Sequence, residues 1–600
     1  MSNMRTTRTS TGSTGGRPMI MGTSGVVSAG HYLAAEAGMT MFRRGGNAFD
    51  AAAAAGFALT VLLPEQNGLA GEVPMLLHSA RDNATWSVNG NGAAPAVASL
   101  AKFRDELGLS IIPGDGLLPA VVPANVASWI LVLRRFGTMR IQEVLAPAIE
   151  LAENGFAMSD HLNAAIAAHA ERFRKDWPTS AEVFLPHGRP PAIGELWRQT
   201  DLARTLKRLY KAADRHRRRI DGLRAAHDVF YRGPISRRLA GFCRTTAVRD
   251  STGRSHTGLL TEEDFAGYEA RLERAESTAF RRLRVYKCGT WSQGPVMLQA
   301  LGLLEGFGLA NMGHNSADYI HTVVECMKLA YADREFFYGD PDFSRVPIRR
   351  LLSKAYAAGR RKLIDAARAS LELRPGGGAD ALTAASIGDV ERAFTAMPPG
   401  RRFEAGDTTT VQAADREGNV ISAVTSGGWL SSSPVVPGLG MPLGTRGQMF
   451  SLVPGHPNCI AGGKRPRTTL TPTLAGLAGR PPHLAFASPG GDCQDQWALQ
   501  FFLNAFEFGM SLQEAVEAPT FWTTHFPGSF YPRTAEPASL HVESRIDQAV
   551  RDELASRGHR VHVEGPWSGG NTLAAGIDRR KGVLLAAASP RHNPAYAMGW

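Results

Sequence analysis

The chain has 600 residues, of which 44% are hydrophobic and 20% are charged, with a formal net charge of +11. This composition is that of a globular protein with a large core, built as two or more domains or as one large elaborated domain. No run approaches the roughly 18 consecutive apolar residues that cross a bilayer, and residues 1–17 lack the apolar segment of a secretory signal. We therefore expect a cytoplasmic protein with no membrane partner.

The excess of positive charge comes mainly from arginine and is densest between Arg204 and Arg219. Asp201, Asp214 and Asp221 interrupt or flank this basic cluster, and no series of aromatic residues accompanies it. A solvated helix face is therefore favoured over a nucleic-acid partner.

Neither the cysteines nor the histidines are spaced like metal ligands. The five cysteines are odd in number, widely separated and without a Cys-x-x-Cys pair, which also argues against a disulfide framework. His31, His256 and His314 are scattered along the chain, and His559-Arg560-Val561-His562 is typical of a surface strand. We expect no metal and no cofactor.

The first predicted elements are a tail and a set of helices. Residues 1–21 are expected to form a disordered tail, because their first part is rich in Thr, Ser, Gly and Arg. From about Gly22 the sequence is globular, and the small and apolar residues between Ala48 and Val61 predict a closely packed helix. Further helices are predicted at residues 124–136, 141–153, 318–337 and 512–518.

Residues 371–407 are predicted to be exposed and mobile, because they contain Pro375-Gly376-Gly377-Gly378 and Pro398-Pro399-Gly400. Short β-rich runs follow, and Glu417-Gly418-Asn419 indicates the turn of a hairpin. The chain lacks regular βαβ alternation, which argues against a doubly wound nucleotide-binding fold. The runs are residues 409–413, 420–425, 473–476, 483–487, 573–577 and 582–587.

The junction Gly406-Asp407-Thr408 is the strongest candidate for catalysis. Cleavage before Thr408 would create a residue with both a hydroxyl nucleophile and a free amine that acts as its base. Such an amine titrates at about 7.7 to 8.0, so part of it is neutral at physiological pH and accepts the hydroxyl proton. A threonine-rich hairpin is also a common structural element, so the surrounding sequence has to decide.

Nine short stretches occur in one order along the chain: Arg44-Gly45-Gly46-Asn47-Ala48-Phe49-Asp50-Ala51-Ala52, Asn67-Gly68-Leu69-Ala70-Gly71, Asp228-Val229-Phe230-Tyr231-Arg232-Gly233, Leu260-Thr261-Glu262-Glu263-Asp264-Phe265, Asp318-Tyr319-Ile320-His321, Lys328-Leu329-Ala330-Tyr331-Ala332-Asp333-Arg334, Gly339-Asp340-Pro341, Lys464-Arg465-Pro466 and Ser488-Pro489-Gly490-Gly491. In that order they resemble segments of the gamma-glutamyltranspeptidase family. The resemblance runs from about Gly22 to near the C-terminus.

The resemblance implies an N-terminal-nucleophile hydrolase with an α+β fold, a four-layer αββα sandwich. The family is made as an inactive precursor, and here self-cleavage would fall between Asp407 and Thr408. A large subunit, residues 22–407, and a small subunit, residues 408–600, would remain associated and build one core. No catalytic histidine would be needed.

The resemblance also assigns roles to single residues. Thr408 takes the nucleophile position, and the backbone N–H groups of Gly490 and Gly491 form the oxyanion hole, where glycine leaves room for the substrate. Thr468 and Thr469 fall where the family has a serine pair that holds the donor carboxylate, and they retain the hydroxyl. The start of a strand is an equally good interpretation of these two threonines.

Several positions that grip the glutamyl group in glutathione-cleaving members differ here. The arginine position falls on Leu100, the asparagine position on Trp429, the glutamine position on Arg446 and the aspartate position on Met449. A threonine that supports the nucleophile falls on Gly427. An α-amino-acid zwitterion would be desolvated without partners in such a pocket.

We therefore expect the partner to be a small-molecule amide with an anionic acyl group that lacks the glutamyl amine. Trp429 and Arg446 would contact it, with Arg446 binding a carboxylate from a new direction. This resembles the oxamate-hydrolysing and cephalosporin-acylase-like branches of the family. Two alternatives are a conventional glutathione hydrolase or γ-glutamyltransferase, and an inactive scaffold with the same fold.

Overall fold

The structure is a computed structural model that describes residues 16–377, 408–591 and 594–600. Its strands, in chain order, are β1 (Ile20–Gly22), β2 (Gly25–Ala29), β3 (Met75–Ser79), β4 (Ala84–Asn89), β5 (Phe156–Ala157), β6 (Leu196–Trp197), β7 (Val248–Arg249), β8 (Ser255–His256), β9 (Arg271–Arg274), β10 (Glu276–Phe280), β11 (Leu283–Lys287), β12 (Thr408–Asp415), β13 (Val420–Ser426), β14 (Val435–Val436), β15 (Met441–Pro442), β16 (Thr473–Leu477), β17 (Leu484–Ala487), β18 (Phe521–Trp522), β19 (Ser539–Glu543), β20 (Arg560–Glu564), β21 (Leu573–Asp578), β22 (Val583–Ala588) and β23 (Tyr596–Gly599).

The α-helices span Tyr32–Arg43, Ala48–Leu62, Asn125–Arg135, Ile141–Asn154, Asp160–Lys175, Pro178–Phe184, Thr200–Asp214, Arg219–Tyr231, Pro234–Thr245, Glu262–Ala266, Pro295–Leu304, Leu309–Met312, Ala317–Phe337, Ile348–Leu351, Lys354–Arg361, Gln494–Phe506, Leu512–Glu517 and Gln548–Ser556. The five helices expected from sequence are all present, with ends that shift by a few residues.

Two seven-stranded antiparallel sheets form the centre of the molecule. The first has the strand order β23-β2-β12-β13-β3-β4-β9, and the second has the order β1-β22-β21-β17-β16-β11-β10. The predicted hairpin is β12 and β13, closed by a hydrogen bond from Asp415 N to Asn419 O of 3.1 Å. Strand β12 therefore lies inside its sheet, between β2 and β13.

Three apolar cores separate four layers, which confirms the predicted αββα sandwich. Between the sheets, Val26 and Ala414 of the first sheet pack with Leu474 and Ala485 of the second. On the outer face of the first sheet lies the buried helix Ala48–Leu62. The outer face of the second sheet is covered by the helices Pro295–Leu304, Ala317–Phe337 and Gln494–Phe506.

The helix Ala48–Leu62 shows why small residues are needed in these outer layers. Its alanines let it approach the first sheet closely, and a Cβ atom on Gly56 would lie 2.3 Å from the Trp129 ring. Asn47 and Asp50 form a capping box at its start, which satisfies N–H groups that the first turn leaves unpaired.

The N-terminal tail is shorter than the sequence predicts. Residues 1–15 lie outside the described residues, but Ile20–Gly22 forms an edge strand against β22. The prediction is wrong for these last residues because Ile20 packs against the core between the two sheets.

The segment expected to be mobile, residues 371–407, is also partly packed. Residues 378–407 lie outside the described residues, and with them Gly406 and Asp407. Arg374 Nη2, however, donates to Glu325 Oε2 at 3.1 Å, and Gly376 N donates to Asp333 Oδ1 at 2.8 Å. Because buried carboxylates of the helix Ala317–Phe337 hold residues 374 and 376, the prediction is wrong there.

The basic cluster, the cysteines and the helix lengths can also be compared with what the sequence predicts. Arg204 and Lys207 of the basic cluster lie on the helix Thr200–Asp214 and pair with Asp201 and Glu153. The five cysteines, all in the described part, are free thiols. Within the described ranges, no helix has both the length and the apolar character needed to span a membrane.

Candidate active site

Thr408 is the first residue of β12 and points into the space between the two sheets. Side chains alternate along a strand, and Val411 and Ala413 belong to the core under the helices, whereas Ala414 belongs to the core between the sheets. Thr408 and Ala414 are separated by an even number of positions on β12, so their side chains lie on the same face of the strand, between the sheets. Its side chain is buried, with 3% of the residue exposed.

A hydrogen-bonded chain leads from the Thr408 hydroxyl to a buried ion pair. Thr408 Oγ1 donates to Ser426 Oγ at 3.2 Å, across the hairpin where the two residues are paired. Ser426 Oγ also accepts from Arg446 Nη2 at 2.8 Å. Arg446 Nε in turn donates to the Glu72 carboxylate. The backbones of Glu72 and Ser426 exchange two further hydrogen bonds, of 2.9 and 3.0 Å, so the chain is rigidly held.

The charge of Arg446 is compensated inside this site. Its side chain is fully buried against Glu72 and lies over the rings of Trp429 at 5.2 Å and Phe530 at 5.6 Å. Burial raises the pKa of Glu72 above its usual value, and the Arg446 charge opposes that shift. Two donors of Arg446 are thus occupied, while Nη1 faces the Met449 sulfur at 3.8 Å.

Gly427 is explained by the same ion pair. Its φ of 76° is in the left-handed region, and a Cβ atom there would lie 2.6 Å from Glu72 Oε1. A threonine at this position would therefore clash with the carboxylate that holds Arg446. In this chain Glu72 and Arg446 lie beside Ser426, the residue before Gly427.

Gly490 and Gly491 form the turn predicted as the oxyanion hole. Both have positive φ, 120° and 51°, and a Cβ atom on Gly490 would lie 2.1 Å from the Trp497 ring. Neither backbone N–H donates to an acceptor among the described residues. The turn follows β17, whose last residue, Ala487, packs with Val424 of β13 close to Ser426. It therefore lies at the same end of the sandwich as Thr408.

Asp492, the residue after this turn, is buried and is held by several polar contacts. The Asp492 carboxylate pairs with Arg334 and accepts from Ser529 N at 2.8 Å and Ser529 Oγ at 2.6 Å. Gln293 Nε2 donates to Gly491 O at 3.3 Å and accepts at Oε1 from Arg334 at 2.8 Å. Burial alone would lower the pKa of Arg334, but the adjacent carboxylates raise it above the usual value. These contacts fix the direction of the turn.

The two predicted substrate threonines differ in their bonding. Thr468 N donates to Trp291 O at 2.9 Å, and Thr468 Oγ1 accepts from Leu470 N at 3.3 Å. The Thr469 hydroxyl is buried and has no hydrogen-bond partner among the described residues. Strand β16 begins only at Thr473, so these residues precede the strand rather than start it.

The predicted pocket residue Trp429 and its neighbour Met449 are buried and present apolar groups to Arg446. The Trp429 indole N–H donates to Gln66 O at 2.9 Å, which leaves the ring to face Arg446 and Phe530. Met449 is buried beside Arg446. Leu100, by contrast, packs into a separate apolar cluster that includes Phe103, Leu109 and Phe450.

Glu72, Ser426, Arg334 and Asp492 were not predicted from the sequence. For three of these residues the sequence contained a local signal, because they adjoin or end one of the nine stretches. Glu72 follows the stretch Asn67-Gly68-Leu69-Ala70-Gly71, Arg334 ends another such stretch, and Asp492 follows Gly491. Ser426 requires the register of the hairpin, which the turn at residues 417–419 defines.

The four-layer sandwich defines the class. A buried threonine at the head of a central strand, with a glycine turn at the same end, gives the chain the fold of N-terminal-nucleophile hydrolases. The model of the gamma-glutamyltranspeptidase family matches residues 34–599. The acylase ACY 1 proenzyme of Pseudomonas sp. (strain SE83) is 33% identical over 580 residues, covering 94% of this chain and 92% of that protein.

Solved structures of other proteins have the same fold as this chain. The structure of LmbA2991HD superposes with a TM-score of 0.92 at 44% identity, covering 97% of this chain and 99% of that one. The cephalosporin acylase of Bacillus halodurans has a TM-score of 0.80 at 28% identity, with 97% of each chain covered. Further relatives are named oxamate amidohydrolase and glutathione hydrolase proenzymes. The chain belongs to the gamma-glutamyltranspeptidase family and is a hydrolase; the proenzyme names of its relatives imply subunits processed from one precursor.

Proposed function

We propose that this chain is a precursor that cuts itself between Asp407 and Thr408 and then hydrolyses amides with Thr408 as the nucleophile. The observation that carries the proposal is the hydrogen bond from Thr408 Oγ1 to Ser426 Oγ, which Arg446 and Glu72 hold in place. This chain of contacts orients the hydroxyl of a buried threonine at the start of a strand, where cleavage would make it the first residue of a subunit.

In the proposed reaction, the neutral α-amine of Thr408 takes the hydroxyl proton as Oγ1 attacks the amide carbon. The N–H groups of Gly490 and Gly491 donate to the oxyanion of the tetrahedral intermediate. The amine then passes its proton to the leaving nitrogen, and the C–N bond breaks to leave an ester on Thr408. Water, deprotonated by the same amine, hydrolyses this ester; an acceptor amine in place of water would give transfer.

Processing follows similar chemistry without a free amine. The Thr408 hydroxyl would attack the carbonyl carbon of Asp407, and its proton would pass to the peptide nitrogen as the C–N bond breaks, which leaves a free amine on Thr408 and an ester on its Oγ1. Water would then hydrolyse this ester to release the carboxylate of Asp407 and restore the Thr408 hydroxyl. Strands from both sides of the cut share each sheet, since β12 pairs with β2 in the first sheet and β16 pairs with β11 in the second. Residues 22–407 and 408–600 would therefore remain associated as large and small subunits of one core.

For the acyl group, we propose a small anionic group without an α-amine. The family resemblance assigns Trp429 and Met449 to positions that bind the glutamyl group; both side chains are buried, and the Trp429 N–H already donates to Gln66 O. An ammonium group buried against these side chains would lose its hydration without compensation. We assign to a carboxylate two donors, the unpartnered Thr469 hydroxyl and Nη1 of Arg446, whose present acceptor is only the Met449 sulfur.

The names of relatives support this acyl group. Oxamate carries a carboxylate and an amide but no α-amine, and an oxamate amidohydrolase is 30% identical to this chain. The second candidate is glutathione hydrolysis, which is favoured by the relatives named glutathione hydrolases.

Two anilides separate these candidates, because glutaryl and γ-glutamyl p-nitroanilide differ only by the α-amine. We expect kcat/KM for the glutaryl compound to exceed that for the γ-glutamyl compound by about 100-fold or more. Faster turnover of the γ-glutamyl compound would contradict the proposed acyl specificity and support the second candidate. Turnover of neither compound by a correctly processed enzyme would restrict the acyl group to shorter acids such as oxamate, which the same assay then tests.

A further inference from the structure

A cluster of histidines and glutamates lies on the three-stranded sheet β18-β19-β20, outside the candidate active site. Strands β19 and β20 run parallel, and His541 is directly opposite His562 in their register. Their rings stack with centroids 4.6 Å apart and an interplanar angle of 20°. Residues paired across a strand boundary share one face of the sheet, so both imidazoles project to the same side.

A carboxylate completes a set of three ligand atoms. Glu536, which precedes β19, places Oε1 2.9 Å from His562 Nε2. One ligand atom from each of Glu536, His541 and His562 lies within 4.8 Å of the other two. These atoms come from two strands and the turn before them, so the backbone holds them together although they are distant in sequence.

A second carboxylate orients one of the imidazoles. Glu564 Oε1 lies 2.8 Å from His541 Nδ1, which places the proton of that ring on Nδ1 and leaves Nε2 as the unprotonated nitrogen. A carboxylate that accepts from the far nitrogen of a histidine is the usual outer partner of a metal-binding imidazole. Thr524 Oγ1 lies 3.4 Å from His541 Nε2, and an ion bound to that nitrogen would take the place of this hydroxyl contact.

We propose that Glu536, His541 and His562 form a binding site for a divalent transition-metal ion of the zinc type. Two imidazole nitrogens and one carboxylate oxygen are a donor set that this ion takes, with water in the fourth position. The ion would replace the proton shared between His562 and Glu536. The proposal departs from the sequence-based expectation of no metal, because the strand pairing brings His562 beside His541 rather than beside His559.

The site is open enough for an ion to enter. The exposed fractions of the side chains are 41% for His562, 25% for Glu536 and 14% for His541. Two independent histidine–glutamate pairs would explain the same contacts without an ion. The two explanations differ because a shared ion needs both histidines at once, whereas each pair would survive the loss of the other.

The surroundings also provide a spectroscopic signal. The Trp522 ring stacks on His541 with centroids 5.1 Å apart and an interplanar angle of 4°. A paramagnetic ion such as Ni²⁺ bound to His541 would therefore quench the fluorescence of Trp522.

The test uses the untagged full-length protein, stripped with a chelator and dialysed against Zn²⁺. We expect the wild type to retain about one equivalent of zinc per chain by elemental analysis and to show saturable quenching by Ni²⁺. His541→Gln and His562→Gln should each lose both signals. His227→Gln is the matched control, because His227, on the helix Arg219–Tyr231, has the same exposed fraction of its side chain as His541, 14%, but lies beside a single carboxylate, Asp228.

A ligand-restoring variant separates loss of the site from loss of the fold. His562→Cys keeps a zinc ligand at the same position, so it should regain zinc retention that His562→Gln has lost. The proposal is overturned if the wild type retains no zinc, or if either His541→Gln or His562→Gln retains zinc at the wild-type level. Equal loss of zinc in His227→Gln would likewise contradict it.

Discussion

The hydroxyl of Thr408 donates to the hydroxyl of Ser426 across 3.2 Å, and both residues occupy opposite positions of one hairpin. Through Ser426, the first residue of a central strand is connected to Arg446 and Glu72, an ion pair removed from solvent. The hydroxyl of the proposed nucleophile is thus oriented by the backbone register and by a buried charge pair, and the four described residues of this chain of contacts include no histidine.

Ser426→Ala should slow both processing and turnover. The substitution removes the acceptor of the Thr408 hydroxyl and leaves one Arg446 donor unpaired, while alanine keeps the strand. We expect kcat to fall by about 10- to 100-fold with KM little changed, because the contact orients the reacting group. Ser422→Ala is the control, since Ser422 lies on the same face of β13 but bonds to Phe486 O. Equal rates in wild type and Ser426→Ala would contradict the role of this contact.

Glu72→Gln should destabilise the protein through an uncompensated buried charge on Arg446. The expected loss is about 3 kcal/mol in the free energy of unfolding. Urea unfolding measures it best in the Thr408→Ala background, where both proteins would be single uncut chains. The double variant Glu72→Gln/Arg446→Met should recover most of the loss, because the unpaired charge is gone. A double variant as unstable as the sum of the two single variants would show that the pair is not coupled.

Gly490→Ala should abolish most activity. Its φ of 120° disfavours alanine, and the added Cβ atom would meet the Trp497 ring, so the N–H groups of the turn would be redirected. We expect kcat to fall by about 100- to 1,000-fold, the usual effect of losing an oxyanion donor. Gly509→Ala controls for backbone strain alone, because Gly509 has a φ of 71° and a Cβ atom added there would meet no atom within 4 Å. Equal loss of activity in both variants would contradict the proposed role of the Gly490 turn in binding the oxyanion.

The pH dependence of kcat/KM should follow the α-amine of Thr408. Only the neutral amine accepts the hydroxyl proton, so activity should be lost as pH falls and reach a plateau above about 8. Each unit below the amine pKa should lower kcat/KM about tenfold. Initial rates between pH 5.5 and about 9.5 measure the profile. A profile that is flat down to pH 6 would exclude the amine as the base.

Much of the fold was predictable because local patterns and long-range structure agree. The alanine-rich run predicts the helix Ala48–Leu62, and the turn Glu417-Gly418-Asn419 predicts the hairpin of β12 and β13. Counting outward from that turn also pairs Thr408 with Ser426, so one part of the site was accessible from sequence.

Other parts of the site depend on contacts that no local pattern records. Glu72 and Arg446 are 374 residues apart, and their pairing follows from the stacking of loops at one end of the sandwich. Arg334 and Asp492 are likewise distant in sequence, and their ion pair supports the turn Gly490-Gly491. His541 and His562 meet only because β19 and β20 are parallel neighbours, a pairing that neither segment indicates by itself.

The central claim is that Thr408 becomes the N-terminal residue of a small subunit. Intact-mass analysis and N-terminal sequencing of the purified protein test it most directly, with Thr408→Val and Thr410→Val as a matched pair, since the Thr410 hydroxyl is also buried on β12. We predict two chains in the wild type and in Thr410→Val, the smaller beginning at Thr408, and a single 64.5 kDa chain in Thr408→Val. A single uncut chain in the wild type, or a small subunit that begins at another residue, would contradict the account.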